Sequence, residues 1–306
     1  MKRAISVFLV IILITTAIPV HADRDTSSIT LEHFADTGFI TDYWLYTPAN
    51  AKPGMKLIVY LHGGTGVGDE PTTLIQNEGF PKFLNEGRLG ELNAYVIIPQ
   101  MRRQFVPESN CISVIKALID SVVSEYGIDE AGIALTGHSM GGRASWCVAA
   151  EFPDFFRRLA PLSGSVTVSS ENAGLFSELP IRAYVGSEDF ESILSSNISF
   201  FEMLSPINPD AILTVIEGAT HMEVVNAYLD TDVVAWLIGD DPTSLLIGDA
   251  NEDGNVDSID ALLILRFALA LVDPSSLNLA NADVNGDGDV DSVDALTVLR
   301  MTMGLI

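Results

Sequence analysis

Ile133-Ala134-Leu135-Thr136-Gly137-His138-Ser139-Met140-Gly141-Gly142, followed by Arg143-Ala144-Ser145-Trp146-Cys147-Val148-Ala149-Ala150, changes character at its centre. An apolar run gives way to a serine set among glycines, and the serine to a helix-period segment over residues 142–150. That order predicts a buried strand, a sharp turn and a helix. Such a turn lifts the serine hydroxyl above the sheet, and glycines flank it because a Cβ there would meet neighbouring backbone. Ser139 is therefore the candidate nucleophile. The bland alternative is a glycine-rich surface turn that happens to carry a serine.

Working outward, continuous apolar runs at residues 57–61, 94–98 and, broken by Arg182, 181–185 read as further strands buried on both faces. Helix-period segments lie between them, as at 112–126. Strands alternating with helices predict an α/β fold with a mainly parallel sheet and helices on both faces. Residues 29–46 alternate apolar and polar, as antiparallel strands at a sheet edge do. A last strand over 211–216 and a helix from about 222 to 237 complete the unit, and Gly239-Asp240-Asp241-Pro242-Thr243-Ser244 breaks the pattern. The expected organisation is an α/β domain over 23–240, a linker over 241–246 and a second module over 247–306.

Residues 1–22 read as a secretory signal: Met1-Lys2-Arg3, an apolar run over 4–20, and small residues in Val20-His21-Ala22 before cleavage. A membrane anchor is the alternative, but the run is short for one. No later stretch is apolar enough to span a bilayer and no cysteine follows the cleavage site to take a lipid, so an extracellular, membrane-free mature chain is expected. The formal charge of −25 over 306 residues excludes a nucleic-acid backbone as partner, which needs a basic footprint. Cys111 and Cys147 alone make no disulfide framework; free thiols are expected, with one bridge as the alternative.

A serine hydroxyl needs a base within hydrogen-bond reach, oriented by a carboxylate, and in this strand–turn–helix setting the order is serine, acid, histidine. Of five histidines, His21 leaves with the signal, His33 and His62 precede the serine, and His138 adjoins it. His221 alone lies beyond, just after a strand, at the sheet edge where ligand sites of such folds gather. The acid is expected at Asp189, in Gly186-Ser187-Glu188-Asp189 after the 181–185 strand; Glu188 is its competitor, and Glu191, Glu202 and Asp210 fit less well. The developing oxyanion needs preorganised N–H donors, expected from Gly64, in Leu61-His62-Gly63-Gly64-Thr65, and from Met140. His62 reads as a residue that fixes this loop. Fewer than twenty residues separate the strands near 159–163 and 181, too few for a large lid, so the site should be open to a bulky or polymeric acyl ester.

These segments, in this order, resemble the α/β-hydrolase superfamily over nearly all of residues 29–238. Within it the likeness is to esterases of the feruloyl and acetylxylan type and the related polyhydroxybutyrate-depolymerase-like group. The resemblance implies a carboxylic ester hydrolase that needs no cofactor for catalysis.

From Asp249 onward eleven acidic residues face two arginines. Asp249, Asn251, Asp253, Asn255, Asp257 and Asp260 place oxygens at positions 1, 3, 5, 7, 9 and 12 of a twelve-residue loop, with Gly254 at its sixth position for the sharp turn, as calcium requires. The pattern recurs 34 residues later in Asp283, Asn285, Asp287, Asp289, Asp291 and Asp294, with twelve of eighteen positions identical between 249–266 and 283–300. Apolar helices are expected over 261–271 and 295–303. No helix-period segment precedes the first loop, and Asp rather than Glu stands at position twelve, unlike an EF-hand. Residues 247–306 resemble a type I dockerin instead. That resemblance implies two bound Ca²⁺ ions and docking to a cohesin domain of a scaffoldin, with Ser258, Ile259, Arg266, Ser292, Val293 and Arg300 at the cohesin contact. An acidic repeat that only buffers calcium is the alternative.

Together these expectations describe a secreted, cellulosome-associated serine esterase releasing acetyl or feruloyl groups from plant cell-wall polysaccharide. The competing readings are a serine peptidase of related fold and a catalytically silent binding unit held on the scaffold.

Overall fold

A computed structural model describes residues 26–35, 37–239, 247–251, 255–303 and 305. The expected signal (1–22), the linker (241–246) and Asp253 lie outside the described residues. The chain divides into two compact units, Met1–Val225 and Asn226–Ile306. Among the described residues no helix is long and apolar enough to cross a membrane.

The first unit holds one eight-stranded sheet: β1 (Ser28–His33), β2 (Ile40–Thr47), β3 (Lys56–Leu61), β4 (Ala94–Met101), β5 (Ile133–His138), β6 (Arg158–Leu162), β7 (Ile181–Glu188) and β8 (Ala211–Thr220). Their spatial order is β1-β2-β4-β3-β5-β6-β7-β8. β1 and β2 run antiparallel at one edge and every pair from β4 to β8 is parallel. The continuous apolar runs have the cause expected of them: β4 and β5 are buried at every residue, because helices cover both faces of the centre. β8, with one free edge, keeps Ile212 and Val215 exposed.

The helices of this unit are α1 (Thr72–Asn77), α2 (Gly79–Asn85), α3 (Cys111–Tyr126), α4 (Met140–Glu151) and α5 (Glu191–Leu204). α4 is fastened by Trp146, wholly buried and met edge-on by Phe176, Phe200 and Phe201. This anchor holds the helix whose N-terminus adjoins Ser139. Between β6 and β7 the chain forms only the 3-10 helix Ser170–Phe176. Cys111 and Cys147 are both free thiols.

Between residues 211 and 238 two local expectations need correction. The single helix foreseen over 222–237 is a 3-10 turn (Glu223–Asn226), α6 (Ala227–Asp230) and α7 (Val233–Ile238). Thr231 interrupts it: its φ/ψ of −129/173 is extended, and its hydroxyl donates to the Ala227 carbonyl and accepts from the Val233 N–H. A hydroxyl that supplies local backbone partners competes with the helical ladder. β8 also runs four residues past the expected end at 216, so His221 directly follows a strand.

The remaining helices are α8 (Ser258–Ala268), α9 (Leu279–Ala282) and α10 (Ser292–Thr302). α8 and α10 begin three residues earlier than their apolar pattern suggests, because Asp257 and Asp291 are N-caps in reciprocal capping boxes with Asp260 and Asp294. Ala261 and Ile264 pack with Ala295 and Val298, the matching positions of the second repeat, in a small core with Ala250, Leu277 and Ala282.

Candidate active site and paired acidic loops

β5 ends at His138 and α4 starts at Met140, so Ser139 makes the turn alone, at φ 57 and ψ −115. A non-glycine residue held there stores about 1–3 kcal/mol of strain. The surroundings impose it by close backbone packing. A Cβ on Gly137 would stand 2.5 Å from the Leu61 carbonyl oxygen, one on Gly141 1.8 Å from that same oxygen, and one on Gly142 2.6 Å from the Leu162 oxygen. The Ser139 N–H donates to Leu162 O at 2.9 Å, tying the turn to β6.

The structure brings Ser139, His221 and Asp189 into one hydrogen-bonded chain. His221 Nε2 lies 2.8 Å from Ser139 Oγ, and His221 Nδ1 lies 2.8 Å from Asp189 Oδ1. With Nδ1–H donating to the carboxylate, Nε2 is left as the acceptor for the serine proton. The Asp189 side chain is fully buried and takes two more donors, the Phe190 N–H on Oδ1 and the Ser163 hydroxyl on Oδ2, each at 2.6 Å. Its competitor Glu188 is the exposed last residue of β7.

Two buried histidines support the arrangement without joining it. His138 Nε2–H donates to the His221 carbonyl at 2.8 Å, so the residue preceding Ser139 holds the backbone of His221. His62 Nδ1–H donates to Gly63 O at 2.7 Å and its Nε2 accepts from the Met101 N–H at 2.9 Å, which pins the loop after β3. Burial pushes both imidazoles below the ordinary histidine pKa, keeping them neutral. Gly64 opens the 3-10 turn Gly64–Gly66 and Met140 opens α4; first N–H groups of helices have no partner within the helix, as an oxyanion donor requires. Glu78 accepts the Thr65 hydroxyl at 2.6 Å and Gln100 donates to Gly66 O at 2.7 Å, holding the same loop.

Sequence reading missed Ser163 and the role of His138. Ser163 carries a faint signal, a small polar residue directly after a buried strand at the edge where the site gathers.

In the C-terminal unit both acidic loops close alike. Asp260 and Asp294 are fully buried, and each accepts backbone N–H groups from its own loop: Asn251 and Asp257 in the first, Val284, Asn285 and Asp291 in the second. The second loop turns through Gly286 and Gly288 at φ +73 and +92, and the Asp283 carboxylate accepts the N–H groups of Gly286, Asp287 and Gly288. It gathers Asp283, Asp287, Asp289, Asp291 and Asp294 within twelve residues, an all-oxygen donor set whose repulsion a hard cation would relieve. Among the described residues no three His, Cys, Asp or Glu side chains converge as a ready metal centre. Ser258, Ile259, Arg266, Ser292, Val293 and Arg300 are all exposed on α8 and α10. Between those helices runs an apolar groove of about 370 Å³, to which Leu262 and Leu265 contribute from one repeat and Leu296 and Leu299 from the other.

Known proteins share both parts. Residues 108–235 match the family described as "Putative esterase", and residues 247–301 the "Dockerin type I domain". A bifunctional acetylxylan esterase/xylanase of Neocallimastix patriciarum is 27% identical over 132 residues, 40% of this chain and 18% of that protein, so the chain spans under a fifth of its curated relative. Among solved structures, a thermostable esterase superposes with a TM-score of 0.58 at 22% identity, over 69% of this chain and 62% of the other. The feruloyl esterase module from Clostridium thermocellum complexed with sinapinate superposes with a TM-score of 0.53 at 18% identity, over 67% and 86%. The chain thus joins an α/β-hydrolase fold bearing the esterase-family match to a C-terminal type I dockerin domain.

Proposed function

We propose that the chain is a secreted, cellulosome-bound serine esterase that releases acetyl or feruloyl groups from plant cell-wall polysaccharide. The observation that carries this reading is the hydrogen-bonded series Ser139, His221, Asp189 on a strained strand-to-helix turn. As Ser139 Oγ attacks the ester carbonyl, His221 Nε2 takes its proton and the Gly64 and Met140 N–H groups receive the oxyanion. Buried Asp189 stabilises the imidazolium. His221 then returns the proton to the departing alcohol oxygen, and water repeats the sequence on the acyl-enzyme. Nothing in this chemistry calls for a cofactor. The relatives named as acetylxylan and feruloyl esterases support the substrate class.

The working division is signal 1–22, catalytic domain 23–240, linker 241–246 and dockerin 247–306. Asp249, Asn251, Asp253, Asn255, Asp257 and Asp260, with Asp283, Asn285, Asp287, Asp289, Asp291 and Asp294, would hold two Ca²⁺ ions, which supply the cross-links that order the loops. Exposed α8 and α10 then meet a scaffoldin cohesin through Ser258, Ile259, Arg266, Ser292, Val293 and Arg300. Release of acetate or ferulate from xylan, set against cleavage of peptidyl amides, separates this reading from a peptidase. Ser139→Ala should abolish nitrophenyl acetate turnover; turnover that persists removes the nucleophile. Chelation should abolish cohesin binding, and binding indifferent to a chelator removes the calcium assignment.

A further inference from the structure

Between β4 and α3 the chain passes the mouth of the site at Gln104. Its neighbours are both anchored. Arg103 bonds Asn110 Oδ1 at 3.0 Å and stacks over Phe39, while Phe105 is buried, directs its N–H at Met140 Sδ and accepts from Arg143. Gln104 is exposed and makes no hydrogen bond to another described residue, so a backbone held on both sides presents an uncommitted amide. That amide faces Gly64: a Cβ built on Gly64 would stand 3.7 Å from Nε2 and 3.8 Å from Oε1. Gly64 is also the residue whose N–H is proposed to receive the substrate carbonyl oxygen.

The near-equal distances carry the argument. Whichever way the amide is flipped, one donor and one acceptor approach the space beside Gly64. An oxyanion accepts only, and an acceptor facing it would repel. A hydroxyl both donates and accepts, and fits. Neither an acetyl methyl nor the propenoyl carbons of a feruloyl group carry a hydroxyl next to the carbonyl, whereas a xylopyranose ring esterified at O2 or O3 carries one on an adjoining carbon. We infer that Gln104 is a specificity-determining residue that reads a hydroxyl on the alcohol half of the ester, beside the scissile bond. This rests on the esterase reading and narrows it to polyol esters.

The test compares a methyl xyloside ester, bearing whichever acyl group the protein releases, with the same ester lacking the neighbouring hydroxyl. The unsubstituted protein should prefer the hydroxylated ester in kcat/KM, and Gln104→Leu, similar in size but without polar atoms, should cut that preference about tenfold, the loss of one or two hydrogen bonds. Gln104→Ala gives the same readout without added apolar surface. A preference unmoved in both variants, including an equal loss on both esters, overturns the assignment while leaving a Ser139-dependent esterase intact. No hydrolysis of any ester, or turnover surviving Ser139→Ala, overturns the esterase reading and this inference with it.

Discussion

Gly141→Ala sets two quantities in opposition. Gly141 lies in the first turn of α4, and by helix propensity alone an alanine there should stabilise the helix by about 1 kcal/mol. Sterically the methyl would stand 1.8 Å from the Leu61 carbonyl oxygen, about 1.6 Å inside the 3.4 Å at which ordinary contact begins, and 2.8 Å from the His62 oxygen. Neither neighbour can rotate aside. Leu61 is paired with Gly137 in the sheet, and His62 is fixed at both ring nitrogens. The strain therefore passes into the loop at Gly63 and Gly64, displacing a proposed oxyanion donor by an appreciable fraction of an ångström. Overpacking of this kind costs about 1–3 kcal/mol, more than propensity returns, and misplacing or losing one such donor lowers kcat about 10²-fold or more. The expected variant is less stable in thermal unfolding and about a hundredfold slower on nitrophenyl acetate, with KM little changed. Gly174→Ala, where nothing lies within 4 Å, is the matched control and should change neither. A Gly141→Ala protein with undiminished melting temperature and kcat within about threefold of the parent would refute the claim that α4 and β3 touch through backbone at this point.

Ser163→Ala removes the hydroxyl on Asp189 Oδ2 from a fully buried carboxylate. A hydrogen bond to a charged group contributes about 1.5–3 kcal/mol, so kcat should fall about tenfold or more and the thermal midpoint should drop; unchanged kcat would show that Asp189 needs no second anchor. Acid sensitivity follows from His62 and His138, both held neutral by burial. Their folded pKa values lie below the unfolded value of about 6.5, so the unfolded chain binds protons first and stability declines as pH falls below that value. Each group can add a slope of up to about 1.4 kcal/mol per pH unit, fully developed between its folded and unfolded pKa and absent above the unfolded one. Denaturant titration between pH 7 and 5 should show the decline, and His62→Gln should shed part of it; an identical slope in that variant would contradict the assignment.

How much was legible in the sequence follows from where each feature's cause lies. Ser139 could be read because its constraints are local: an apolar run, a turn that only glycine neighbours permit, and a helix signal, all within eighteen residues. His221 could be read by elimination and Asp189 by its place after a strand, since an α/β sheet delivers successive strand ends to one edge whatever the loops do. The acidic loops were legible for the same reason, each being a self-contained twelve-residue pattern repeated nearly unchanged. Ser163, His138 and Gln104 were not, because what defines them is a partner far along the chain: Ser163 meets Asp189 across 26 residues and His138 meets the His221 carbonyl across 83. The broken helix at Thr231 and the early starts of α8 and α10 mark a further limit. Apolar periodicity records which face is buried, but short polar side chains decide where a helix stops and begins, by offering the backbone another partner. The same division bears on function. The proposed nucleophile, acid and base stand on motifs that a single chain displays, whereas Gln104 meets Gly64 only because β3 and β4 are neighbours in the sheet and the loops after them run side by side. Discrimination between substrates therefore rests on contacts that sequence pattern cannot show, and two chains with the same Ser139, Asp189 and His221 geometry can differ in the alcohol they accept through a single loop residue.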